Sequence, residues 1–206
     1  VKAEFVRDII LSSSGLLNKQ IGGPSVKPYQ PKGLWEAATP GRGLLQTYKQ
    51  DHNEDLYRRG MYTFIKLTLP PPSMAMFDAS NRDQCEVKRL NTNTPLQALV
   101  MMNDPTVLEA SRVLAQQLMT GNKTAEENIL TAYRSIICRI PNKKQLSILN
   151  GYYNAQMQYF SNKKNAEIFL KAGEAAQAAD GDKNKTAALM KVITMIYNME
   201  EAIMKT

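Results

Sequence analysis

The sequence predicts a mainly α-helical protein: an irregular helical domain with a long Gly/Pro-rich loop, followed by a C-terminal antiparallel helical bundle. Three observations carry this reading. Four helix-start signals stand along the chain, at Thr94-Pro95 with Gln97, Asp104-Pro105, Thr124 with Glu127, and Asn142 with Gln145. Each sets a side-chain oxygen at the N-cap, with proline at the first helical position or a reciprocating Gln or Glu three residues on. The apolar residues after position 105 recur at three- and four-residue intervals, the period of a helix face, and nothing alternates with period two for long.

Taken in order, residues 2–19 place Phe5, Val6, Ile9, Ile10, Leu16 and Leu17 at helical spacing, with Ser12 to Gly15 softening the end. Residues 20–47 are rich in glycine and proline and should run as an extended loop, held to the body by Val26, Tyr29, Leu34 and Trp35. A loop of that length in a compact domain binds something or wraps the core. Residues 55–69 return to helical spacing through Tyr57, Met61, Phe64 and Ile65, and stop at Pro70-Pro71-Pro72. After a polar segment, one helix should open at Pro95 and another at Pro105, the latter lined by Val107, Leu108, Val113, Leu114 and Leu118 and ended by Thr120-Gly121. Helices follow from Thr124 to about Cys138, from Asn142 to Tyr159-Phe160, and over 165–172 up to Gly173. Residues 174–185 have no core-forming pattern and read as an exposed connection, and 186–204 as a last amphipathic helix. The organisation is a loop-rich region, 1–119, and a helical bundle, 120–206, packed as one structural unit.

Composition narrows the class. With 43% hydrophobic and 22% charged residues over 206 positions, the chain can fill a core. It opens at Val1 without an initiator Met, a basic n-region or an apolar h-region, so it reads as a piece of a longer protein. No run approaches a membrane span. The net charge of +7 is spread evenly: residues 1–119 hold 14 basic and 11 acidic side chains, residues 120–206 hold 12 and 8. Neither half is a basic arm, and no aromatics interleave with Lys143-Lys144 or Lys163-Lys164, so nucleic acid is not expected as a partner. Anionic glycans stay open.

The segment 76–105, MFDASNRDQCEVKRLNTNTPLQALVMMNDP, concentrates the polar chemistry directly before a helix N-terminus, where N–H groups and the dipole favour anions. The candidate site is Asp78, Arg82, Cys85, Arg89, Asn93, Gln97, Asn103 and Asp104, joined by Arg58 and Arg59. Two readings are open. Converging guanidinium groups could hold a carboxylate, sulfate or phosphate bidentately; or the same residues satisfy one another in a buried polar network that fixes the loops. Trp35, the one tryptophan, is a second candidate: a sugar-stacking face, or the buried anchor of its loop.

Other chemistries find little support. His52 is the single histidine and lies in a polar stretch, a surface residue unless partners make it a base. One His and two distant Cys show no zinc spacing, and Asp51, Asn53 and Asp55 lack the glycine and glutamate that would complete a calcium loop. No C-x-x-C-H is present. Neither metal nor cofactor is therefore expected in this chain. Cys85 and Cys138 read as free thiols, Cys138 on an apolar stripe with Ile136 and Ile137, and Met74, Met76, Met101 and Met102 as core filling.

Three stretches, GGPSVKPYQPKGLW (22–35), DLYRRGMYTFIKLTLPPPSMAMFDASNRDQC (55–85) and KRLNTNTPLQALVMMNDP (88–105), resemble in order the bacterial domain of unknown function 1553, of planctomycete surface type, and the closing YNMEEAIMKT resembles that family's C-terminal end. The family carries no settled activity. The resemblance implies an exported, extracytoplasmic protein whose fuller chains join this module to a second uncharacterised domain and often a cytochrome-c-like domain. The expectation is a non-catalytic structural or ligand-binding module that works with preceding domains. The alternative is part of an active site acting on polysaccharide or another anionic substrate, completed by those domains.

Overall fold

The computed structural model describes residues 1–38, 47–67, 69–80, 87–90, 92–121, 123–178 and 181–204. Among them are ten α-helices and no strand. The chain divides into two compact units, one of Val1–Asp8 with Leu17–Val100, the other of Ile9–Leu16 with Met101–Thr206.

The first unit is built from little regular structure. It takes the start of α1 (Ala3–Ser13), the short helices α2 (Leu34–Ala38) and α3 (Pro72–Met76), and most of α4 (Pro95–Asn103). The long loop pairs locally with the 57–64 segment: the Val26 N–H donates to Tyr62 and the Val26 carbonyl accepts from Phe64, both at 2.8 Å. Val26, Trp35 and Leu56 are buried at its centre, so the two expected loop anchors of that trio hold the loop to apolar neighbours.

The helix expected over 55–69 does not form. In its place stand two 3-10 turns, Asn53–Tyr57 and Gly60–Tyr62, and extended backbone after them. The reason lies in Gly60 and in the β-branched and aromatic run Tyr62-Thr63-Phe64-Ile65, which favours extended backbone. The carbonyls of Tyr57 and Tyr62 accept bonds from Asn18 and Val26 instead of from the next helical turn.

The second unit is the helical half: α5 (Pro105–Met119), α6 (Ala125–Ile137), α7 (Lys143–Tyr159), α8 (Lys163–Phe169), α9 (Lys183–Tyr197) and α10 (Glu200–Ile203). The helix starts follow the caps. Asp104 accepts from the Thr106 N–H at 2.8 Å, and reciprocal capping boxes form at Thr124/Glu127 and Asn142/Gln145. α9 touches α5, α6, α7, α8 and α10 and is buried almost all round, with Ala187 and Ala188 allowing close approach. It begins earlier than expected because Asp182 caps it, and it ends at Tyr197 rather than continuing; α10 is a separate turn. Cys138 is not on the buried stripe: it is the left-handed C-cap of α6, with φ 60°, and its thiol is free and exposed. Of the four methionines expected to fill core, Met74 and Met101 are buried and Met102 is 46% exposed. Among the described residues no helix is long and apolar enough to cross a membrane.

Candidate functional site

The polar chemistry of the first unit is organised by the first two turns of α1. Glu4, Arg7 and Asp8 stand three and four residues apart, which puts them on one helix face. Arg89 donates from both Nη atoms to the two Glu4 carboxylate oxygens, at 2.9 Å each. The pair is part-buried, with 25% and 19% of the two side chains exposed. Arg89 holds the Glu4 carboxyl below the usual carboxylate range. One turn on, Asp8 accepts from Arg59 Nε at 2.8 Å and from the Gly60 N–H at 2.7 Å. Arg7 donates to the Leu56 carbonyl at 2.7 Å and to that of Arg58 at 3.3 Å.

Arg58 is 1% exposed. Its guanidinium donates to the carbonyls of Pro24 at 2.8 Å, Gln20 at 3.5 Å and Gly22, and lies over the Tyr62 ring at 4.0 Å. Every partner the structure gives that guanidinium among the described residues is a carbonyl or a ring face. A buried arginine spent on carbonyls serves the loop backbone, whose orphan acceptors would otherwise be left without donors.

A second network ties the polar segment together. Asp78, in left-handed backbone with φ 55°, accepts from the Thr92 N–H at 2.7 Å and its hydroxyl at 2.8 Å. Buried Gln97 donates to the Thr92 hydroxyl at 3.1 Å and to the Met76 carbonyl at 2.8 Å, while its Oε1 accepts from the Thr94 N–H at 3.2 Å. Gln97 is thus both the reciprocating residue of the capping box at Thr94 and the link from α4 back to α3.

The sequence candidates therefore fall into groups. Asp78 and Gln97 meet through Thr92, whereas Arg58, Arg59 and Arg89 are each engaged with separate partners. Asn93 and Asn103 are exposed, and Asp104 is the cap of α5. Arg82 and Cys85 lie outside the described residues. Trp35 is 2% exposed, edge-on to Tyr48 at 5.0 Å, with the Lys66 ammonium over its ring at 4.5 Å. His52 is exposed, and among the described residues no group of three or more His, Cys, Asp or Glu could hold a metal ion.

Sequence reasoning passed over Glu4, Arg7 and Asp8, although charges spaced i, i+3 and i+4 beside apolar Phe5 and Val6 were a visible sign. It also passed over Glu109 and Arg112 in the second unit, charges set among the apolar positions of α5. Both side chains are 0% exposed and 3.9 Å apart. Arg112 donates to the carbonyls of Ala172 at 2.9 Å, Ala175 at 2.6 Å and Ala176 at 3.2 Å, and Glu109 accepts from the Ala175 N–H at 2.6 Å. The connection expected to be merely exposed thus has its backbone fixed by a buried ion pair.

A family model described as PSD1, protein of unknown function (DUF1553), matches residues 1–153, more than half of the chain. No curated protein and no solved structure matches it.

Proposed function

We propose a structural role for this chain, which belongs to the PSD1 family of proteins of unknown function (DUF1553): a non-catalytic module that positions, or completes a site with, other domains of a longer exported protein. The observation that carries the reading is the bidentate Arg89–Glu4 pair. With Arg59 on Asp8 and Arg58 on the loop carbonyls, it spends the described cationic candidates on holding irregular backbone, which is what a polar lock requires.

A surface for a neighbour is present. Leu96 and Leu99 stand three residues apart on α4 in the first unit and are 49% and 52% exposed. Such an apolar pair fits contact with another domain. In this reading the module needs no cofactor of its own, works outside the cytoplasm, and has the preceding domains as its partners, a cytochrome-c-like domain among them. Support for that setting is the resemblance of the three sequence stretches. Anionic glycans are then ligands of the assembled protein rather than of Arg89.

The test is a thermal titration. Wild type and Arg89→Met should respond alike to sulfate and to acidic oligosaccharides, because ligand stabilisation follows mass action on a site that Arg89 does not form. A wild-type response that disappears in an Arg89→Met variant of near-normal stability would overturn the reading in favour of an anion site.

A further inference from the structure

Between α7, α8 and α9 of the second unit lies an open cleft of about 540 Å³, within the size range of small-molecule sites. Its walls are aromatic: Tyr159 stands edge-on to Phe160 at 5.0 Å, and Phe160 lies 5.6 Å from Phe169. Tyr152, Gln156 and Asn165 add a hydroxyl and two amides to the lining. Lys191 enters from α9, with its Nζ 4.2 Å from the centre of the Phe169 ring.

This ammonium differs from the guanidinium groups of Arg89 and Arg112. Arg89 has a carboxylate and Arg112 has carbonyls and a carboxylate. Among the described residues the structure gives the Lys191 ammonium a ring face alone. Burial holds its pKa below the usual lysine range, the direction expected of a cation short of counter-charge. A half-buried cation beside aromatic walls, with open space in front of it, is completed by an anion that also brings an apolar surface.

We propose that this cleft binds a small ring-bearing carboxylate, its carboxylate on Lys191 and its ring against Tyr159 and Phe169. The hydroxyl of Tyr152 and the amides of Gln156 and Asn165 supply hydrogen bonds at the ring edge. Two sources share this chemistry, an aromatic acid and a uronic acid. Of the lining residues only Tyr152 falls within residues 1–153, the span of the family match. All the lining residues belong to the second unit, and none is shared with the lock in the first.

The experiment titrates the whole chain with phenylacetate, glucuronate and acetate, followed by calorimetry and by backbone amide shifts in α8 and α9. At least one ring acid should bind saturably where acetate at the same concentration does not, and the tighter of the two identifies the source. Lys191→Gln should weaken binding at least about tenfold. Tyr159→Ala, at a residue 60% exposed and so safe for folding, should weaken it several-fold. No saturable binding of either ring acid, equal binding of acetate, or a folded Lys191→Gln variant that binds like wild type would overturn the proposal. Should Lys191→Gln fail to fold, unchanged affinity in Tyr159→Ala would do the same.

Discussion

Gly60 lies so close to Glu4 that a Cβ built on residue 60 would stand 2.6 Å from the Glu4 carbonyl oxygen and 2.8 Å from its Cα. The neighbour is helix backbone, which cannot swing aside. Gly60→Ala must therefore push the 57–64 segment off α1 and disturb the Asp8 bond to the residue 60 N–H. The expected loss is about 1–3 kcal/mol, read as a lower urea midpoint at unchanged slope. An unshifted midpoint would show that the close packing is absent in solution.

Acid should unlock the first unit through Glu4. Its folded pKa is depressed, chiefly by the hydrogen bonds from Arg89, so its contribution is complete above the unfolded carboxylate pKa and is lost as pH falls through the lower folded value. Glu4→Gln removes that titration. The melting-temperature gap between wild type and Glu4→Gln should be widest near neutrality and should close as pH falls below 4.5, the ordinary glutamate value. A gap that stays constant through that fall would mean the carboxylate is not held by Arg89.

Arg58 should behave as a loop clamp. Arg58→Met leaves the carbonyls of Gly22 and Pro24 without their donor, a loss of about 2–4 kcal/mol. Amide exchange should accelerate at Val26, whose N–H bonds to Tyr62, before it does in α9. Exchange rising equally everywhere would indicate global unfolding rather than release of the loop.

In the second unit, Arg112→Met removes the cationic partner of a fully buried Glu109, and removal of one partner from such a pair costs about 3–5 kcal/mol. The visible sign should be proteolysis within 172–178, whose carbonyls Arg112 now holds. Gly173 sharpens the point, since its φ of +79° and the Glu109 Cδ only 2.2 Å from a built Cβ leave no place for alanine. If that segment in Arg112→Met resists protease as in wild type, the pair does not hold it.

The helical half was legible because its information is local. A cap and its reciprocating residue sit three positions apart, and the buried positions of α6 and α7 follow one periodic stripe, so Thr124 and Asn142 could be read directly. The 55–69 segment was not, because its conformation is decided by partners far along the chain: Gly60 answers to Glu4, and the Tyr62 carbonyl to Val26. The partners of the polar segment were illegible for the same reason. Arg89 reaches 85 residues back to Glu4, a separation no local spacing reveals, while Asp78 finds Thr92 rather than an arginine. Cys138 fits the apolar rhythm of its helix, but it sits at the residue where the chain turns left-handed and leaves the stripe.

The most direct measurement is a double-mutant cycle on Glu4 and Arg89, with Glu4→Gln, Arg89→Met and the pair together unfolded in urea near neutral pH. If the two residues form an internal lock, each single change should cost about 1–3 kcal/mol and the double variant should lose less than the sum by about 1–2 kcal/mol, as expected for a part-buried, bidentate charged pair. Additive losses within about 0.3 kcal/mol, with Arg89→Met close to wild type in stability, would contradict the account and return Arg89 to the role of a ligand contact.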